Sequence, residues 1–196
     1  MPMSQNALLF QNISGLLLSA TAEKLADLGP QLAVWIPELQ PMLGFDQRSP
    51  HHAYDLFTHT AHVVENVPAD LTLRWAALLH DTGKVPTFTR DATGRGHFYG
   101  HAQESARMAD AILRRLHAPD GFRERVVTLI ALHMTKIKPE ESHVRPILNR
   151  LGMEALEQLL LLQEADMASK GVDEPNDFSQ FPRIRAAALA LLHEET

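Results

Sequence analysis

The segment Trp75-Ala76-Ala77-Leu78-Leu79-His80-Asp81-Thr82-Gly83-Lys84 carries the strongest chemical signal in this chain of 196 residues. A nearly unbroken apolar helix ends abruptly in His, Asp and Lys, groups that are costly to bury without partners. A metal ion answers that cost, because it bonds a neutral imidazole and a carboxylate together and offsets their desolvation. A His–Asp pair that merely caps a core helix answers it too, and this segment alone leaves both readings open. Four further groups are candidates. His59 lies in Thr58-His59-Thr60 on the preceding predicted helix, whose apolar face is Phe57, Val63 and Val64. His101 opens the helix that follows a glycine-rich loop, His133 closes the one after it, and Asp166 sits late in the apolar Leu156–Met167 stretch. Taken singly, each reads more readily as a core, surface or helix-end histidine, or a solvated aspartate, than as a ligand. The chain has no cysteine, so disulfides, thiolate nucleophiles, Cys-based zinc sites and iron–sulfur clusters drop out, and any metal must be held by His and carboxylate.

The joint order His59, His80-Asp81, His101, His133, Asp166 resembles the HD superfamily of metal-dependent phosphohydrolases. That superfamily is named for a His, His-Asp, Asp series, here His59, His80 with Asp81, and Asp166; two-metal members add two histidines where His101 and His133 fall. The sequence is more similar still to one branch, the HD domain that follows the catalytic head in bacterial CCA-adding tRNA nucleotidyltransferases. The positions that carry the likeness are Pro37-Glu38-Leu39, Gln47, Pro50, His52, His59-Thr60, Leu78 to Lys84 and His97-Phe98-Tyr99-Gly100-His101, within a match running from about residue 18 to 170. The nucleotidyltransferase head needs a Gly-Ser motif and paired aspartates, which nothing before residue 18 supplies. The expectation is an HD domain standing alone that does not itself add CCA.

The resemblance implies one divalent metal on His59, His80, Asp81 and Asp166, with Asp81 bridging to a second on His101 and His133. Two ions about 4 Å apart would generate a hydroxide and clamp phosphoryl oxygens during in-line displacement. Imidazole and carboxylate together suit Mn, Fe, Co, Ni or Zn, with Mg possible. Lys84, a turn beyond His80, has the reach and sign to stabilise developing phosphate charge, or is an ordinary cation at a helix C-terminus. His52 would share a face with His59 if that helix began early enough, as a substrate contact or proton donor. Arg95 and His97 are placed to touch phosphate or base. The implied reaction is hydrolysis of a nucleotide phosphomonoester or a 2′,3′-cyclic phosphodiester, with a small nucleotide or an RNA-end phosphate as substrate. A non-catalytic module that binds tRNA or a nucleotide, or that partners a separate nucleotidyltransferase, is the alternative. Loss of His80, Asp81 or Asp166 would have favoured it, and all three are present.

The elements that must position these residues read as all-α, an HD-type helical bundle with one short hairpin-like flap. Apolar residues return every three or four positions, with Pro or Gly between segments. One or two short helices over Leu25 to Leu39, interrupted at Gly29-Pro30 and ended by Pro37 and Pro41, form an N-terminal cap within residues 1–45; residues 46–196 form the HD domain. Helices are predicted over 53–66, 71–82, 101–117, 120–134, 143–151, 153–170 and 180–195, with Asp70, Asp120 and Ser142 as N-caps. The flap, Pro86 to Gly100, turns at Asp91-Ala92-Thr93-Gly94. The net charge of −6 argues against broad, non-specific adhesion to DNA or to an anionic membrane. The apolar runs Leu159–Leu162 and Ala186–Leu192 fall far short of the roughly 20 residues that span a bilayer. The start of the chain lacks a positive residue before Lys24, unlike a secretory signal, so a cytoplasmic protein is expected, and an apolar face on the N-terminal or last helix would support a homodimer.

Overall fold

The computed structural model describes residues 4–48, 53–171 and 176–194. Its centre is the helix α5 (Leu71–Leu79), buried at every residue from Leu73 to Leu79. A helix apolar on all sides can sit only where neighbours surround it. Its main neighbours are α1 (Gln5–Ser19), α4 (Leu56–Asn66), α7 (Asp120–Leu132) and α8 (Glu141–Ala168). Outside this ring, α6 (His101–Arg115) lies along α7 and α9 (Gln180–Glu194) along α8. The short α2 (Ala22–Asp27) packs on α4, and α3 (Gly29–Trp35) leads into a 3-10 turn over Pro37–Met42. The expected all-α class holds. The only strands among the described residues are β1 (Thr89–Arg90) and β2 (Gly96–His97), an antiparallel pair with Thr89 opposite His97, which is the flap read from the glycines. No helix among the described residues is long and apolar enough to cross a membrane.

Local chemistry sets most boundaries. Asp55 caps α4 by accepting from the amides of Phe57 and Thr58, and Asp70 caps α5 through Leu73, so α4 starts at Leu56 rather than at 53. Two expected caps are corrected. Asp120 is the first residue of α7, after Pro119, and its carboxylate turns to Arg123. Ser142 is the second residue of α8, and its hydroxyl lies 3.4 Å from His143 Nδ1. Gly152 takes φ 74° and ψ 168°, outside helical space, and divides α8 where the two predicted segments meet.

The helix α1 is a departure from the sequence reading, which places no helix before Leu25. It buries Ile13, Ser14 and Leu17 while leaving Leu8 and Leu18 exposed, so its apolar residues do not form a single stripe. It is nevertheless bound to the central helix: Phe10 stacks on Trp75 with centroids 5.3 Å apart, and Trp75 Nε1 donates to Ser14 Oγ at 2.9 Å. Arg74 also reaches the Leu17 carbonyl at 3.3 Å. Because Leu17 is 0% exposed, Leu17→Ala should cost about 2–5 kcal/mol of unfolding free energy, measured by urea denaturation, although it touches no candidate ligand.

Candidate metal centre

Three helix ends deliver the candidate ligands to one buried point. His80 is the C-cap residue of α5 and His133 that of α7, while Asp166 lies in the last turn of α8. The negative ends of three helix dipoles therefore meet, an arrangement that favours a cation. His59 comes from the middle of α4, and His101 is the first residue of α6, entered through Gly100 at φ 76°. Asp81 lies in the turn after His80. The glycine two residues on is required by packing, because a Cβ on Gly83 would stand 2.5 Å from both the His101 carbonyl oxygen and the Ser105 amide nitrogen. That close approach, fixed by a Gly83 N–H to Ser105 Oγ bond of 2.8 Å, holds the start of α6 against the His-Asp turn.

Asp81 is the hub. Its Oδ2 lies 3.1 Å from His80 Nε2 and 3.6 Å from His59 Nε2; its Oδ1 lies 3.4 Å from His101 Nε2 and 3.9 Å from His133 Nε2. Asp166 Oδ1 is 3.0 Å from His59 Nε2 and 3.8 Å from His80 Nε2. Two triads result, His59-His80-Asp81 and Asp81-His101-His133, each with its ligand atoms within 4.8 Å of one another. The structure thus brings together all six residues of the predicted ligand series.

The outer ring nitrogens show what the inner ones are for. Nδ1 of His80 donates to Ala77 O at 2.8 Å, His101 to Phe98 O at 2.8 Å, His133 to Ile130 O at 2.7 Å and His59 to Ser169 O at 3.1 Å. A carbonyl only accepts, so each Nδ1 carries the proton and each Nε2 of a neutral ring turns a lone pair inward, as metal-binding histidines do. Nε2 of His101 and His133 face each other at 3.3 Å, two acceptors that repel unless a cation lies by them. His80 Nε2 is fully buried and makes no hydrogen bond of acceptable geometry. The donor set therefore fits a divalent metal.

The electrostatics of the two triads differ. Burial opposes charge on His80, but Asp81 and Asp166 outweigh it and raise its pKa to about 10. Burial, reinforced by His80, pushes His133 down to about 4, and burial lowers His101 as well. Burial also opposes ionisation of both carboxylates, yet His80 and Lys84 hold Asp81, and His59 and His80 hold Asp166, well below the usual carboxylate range.

A cavity of about 290 Å³ opens onto Asp81 and Asp166, and the flap residues Arg95 and His97 are among those that line it. Lys84 lines it too, in the turns that follow α5 rather than on a continued helix, and its side chain lies against Asp81, three residues earlier. Its Nζ lies 2.8 Å from Asp81 Oδ2 and donates to Gln47 Oε1 at 2.9 Å. His97 Nε2 is held by Asp91 at 2.8 Å. His52 lies outside the described residues; α4 begins only at Asp55–Leu56, so the early helix start that would align it with His59 is not met. Lys170 is the pocket cation that sequence reasoning missed. It follows Asp166 by four positions, just past the end of α8 at Ala168, and that spacing, one turn in the helix predicted to run to 170, was the available signal. Gln47 was noted for the likeness but given no task, and it proves to be 2% exposed beneath Lys84.

A helical bundle with this His-Asp cluster between its helix ends defines a class. The chain belongs to the HD domain family, which matches residues 51–171. Among curated proteins it is 34% identical over 172 residues to the A-adding tRNA nucleotidyltransferase of Deinococcus radiodurans, covering 84% of this chain and 39% of that one. It is 36% identical over 149 residues to the CC-adding tRNA nucleotidyltransferase of Thermus thermophilus, covering 72% and 34%. With the Multifunctional CCA protein of Azoarcus sp. the figures are 32% over 171 residues, 82% and 41%. The chain thus spans well under half the length of these relatives.

The shared position of Asp81 sets two expectations. Titration with Mn²⁺ followed by elemental analysis should find two ions per chain in the wild type, one in His101→Ala and none retained at saturation in Asp81→Ala. At neutral pH an ion at the His59–His80 position must displace the His80 proton, whereas His101 and His133 are already neutral. Affinity at the former should fall about ten-fold for each unit the pH drops below about 10, in keeping with metal–proton competition. Calorimetry in buffers of different ionisation enthalpy reads the released proton directly.

Proposed function

We propose that this protein is a metal-dependent phosphohydrolase that acts on a nucleotide phosphomonoester or a 2′,3′-cyclic phosphodiester. The observation that carries the reading is Asp81: one buried carboxylate presents each oxygen to a different pair of histidines at the foot of a cavity lined by Lys84, Arg95 and Lys170. His59, His80, Asp81 and Asp166 would hold one ion, and Asp81, His101 and His133 a second. Mn, Fe, Co, Ni or Zn suits such ligands better than Mg alone. A divalent ion, when bound, supplies Lewis acidity towards phosphoryl oxygens and a water acidic enough to attack at neutral pH.

The chain's own residues do the rest. Arg95 and Lys170 draw the phosphate into the cavity and orient it. Lys84 lends its charge through Asp81, which it keeps ionised, and faces the phosphate from the cavity wall. His97, fixed by Asp91, touches the substrate from the flap. The names of the relatives point to tRNA, so an RNA-end phosphate is the larger substrate to try beside free nucleotides. Those same names denote transferases rather than hydrolases, which favours a second reading, a module that recognises an RNA end or a nucleotide without turning it over.

The test is a panel of nucleoside monophosphates, 2′,3′-cyclic nucleotides and a chromogenic phosphodiester, each with Mn²⁺, Co²⁺, Ni²⁺ or Mg²⁺. Metal-dependent turnover is expected, falling at least 1,000-fold in Asp81→Ala, of the order seen when a charge-stabilising group is removed from an active site. Absence of turnover with every metal, with nucleotide binding intact, would establish the binding module instead.

A further inference from the structure

The geometry points to a nucleobase subsite beside the metal centre, between Tyr99 on the flap and Met134 just beyond α7. This inference rests on the reading of the cavity as a phosphate site and names what the phosphate is attached to. A second cavity of about 230 Å³ adjoins the first, and the two share Phe98, Tyr99, His101 and Met134. The first is floored by carboxylates and rimmed by cations. The second adds only Gly100, Ala102 and the amide side chain of Gln103, and so is apolar with one polar edge. Tyr99 and Met134 are 78% and 56% exposed, and their shared position at the mouth of a charged pocket distinguishes them from scattered surface residues.

Tyr99 is also built to remain in place. One face of its ring lies on the His97 imidazole, with centroids 5.4 Å apart and planes 5° from parallel. His97 is in turn held by Asp91 Oδ2 at 2.8 Å. The other carboxylate oxygen of Asp91 accepts from the Thr93 amide at 2.9 Å, the Thr93 hydroxyl at 2.6 Å and the Arg95 amide at 3.1 Å. The turn thus fixes the imidazole, the imidazole supports one face of the phenol ring, and the other face is left to solvent beside the phosphate cavity. A flat, supported aromatic face is the usual platform for a base. The polarisable thioether of Met134, which lines both cavities, suits contact with a base, and the Gln103 amide, whose nitrogen donates to the Ala131 carbonyl at 3.5 Å, keeps its oxygen for the polar edge of the ring. The ligand class is a nucleoside phosphate, with the base outside the metal centre and the phosphate over it.

Binding can be separated from turnover with phosphonates, whose carbon–phosphorus bond is not hydrolysed. Dissociation constants are measured by calorimetry, with Mn²⁺ present, for a nucleoside 5′-methylenephosphonate and for methylphosphonate, which has a similar head and no base. The wild type should bind the nucleoside form at least ten-fold more tightly, the scale expected of one stacked base. Tyr99→Ala should abolish most of that preference and Tyr99→Phe should keep it; an unchanged thermal melt will show that the exposed side chain was not supporting the fold. Equal binding of the two phosphonates, or a preference that survives Tyr99→Ala, would overturn the subsite and leave the phosphohydrolase reading standing. A preference lost in Tyr99→Ala, in a protein that hydrolyses none of the corresponding phosphates, would support the subsite and remove the hydrolase. Failure to bind either phosphonate would overturn both.

Discussion

A single carboxylate, 1% exposed, is placed among four imidazoles, and the rest of the structure follows from the need to keep it there charged. A buried ion costs several kcal/mol unless opposite charge and hydrogen bonds surround it. Lys84 meets part of that cost at 2.8 Å and is itself held by Gln47. The remainder falls to the histidines and to whatever cation they hold. This explains why so apolar a helix as α5 ends in the most polar cluster of the molecule. The buried rod fixes where Asp81 stands, and the packing of α6 against Gly83 fixes how near the second pair of imidazoles can come.

Convergence of helix ends is the second organising feature. α5, α7 and α8 all direct their C-termini at the site, so the negative ends of their dipoles and the inward lone pairs of the histidines accumulate on the side where a cation would sit. The flap adds what helices do not, because its glycines let the backbone run close. A Cβ on Gly96 would stand 2.4 Å from the Gln47 carbonyl oxygen, so the segment that anchors Lys84 and the strand that bears His97 can touch only through a glycine. Gln47, Lys84, Asp81 and the flap are in this sense one assembly.

The candidate series stood out in the sequence chiefly because its order, His59, His80-Asp81, His101, His133, Asp166, resembles the HD series; of its members only the His-Asp-Lys cluster ending an apolar helix is chemically unusual where it stands. Most helices were legible because Pro, Gly and Asp mark their limits, as at Pro37, Asp70 and Gly152. α1 was not, since its apolar residues are spread around the helix and its place depends on Trp75 and Arg74, far away in sequence. Asp120 and Ser142 have the composition of caps, but chain geometry places the caps at Pro119 and Glu140, one and two residues earlier. Lys170 and Gln47 join the site through spatial neighbours: the four-residue spacing from Asp166 was the one local signal for Lys170, and Gln47 stood out only in the family likeness. The ion pair between Lys84 and Asp81 has the i,i+3 spacing that a helix or a turn equally allows, but the sequence reading gave the lysine to the phosphate or to the helix end.

The four Nδ1 bonds are not equivalent in reach. Those of His80, His101 and His133 end on the carbonyl three residues earlier, within the same turn, whereas that of His59 crosses 110 residues to Ser169. The Asp81-His101-His133 triad can therefore form once α5, α6 and α7 are in place, but the other needs the far end of α8 to have returned to α4. An ion held there would act as a noncovalent staple, closing a loop of about that length whose entropy the chain otherwise meets through packing and the hydrogen bonds of His59 and Asn66 to Ser169. One metal position would thus mature with the middle of the fold, and the other would lock its beginning to its end.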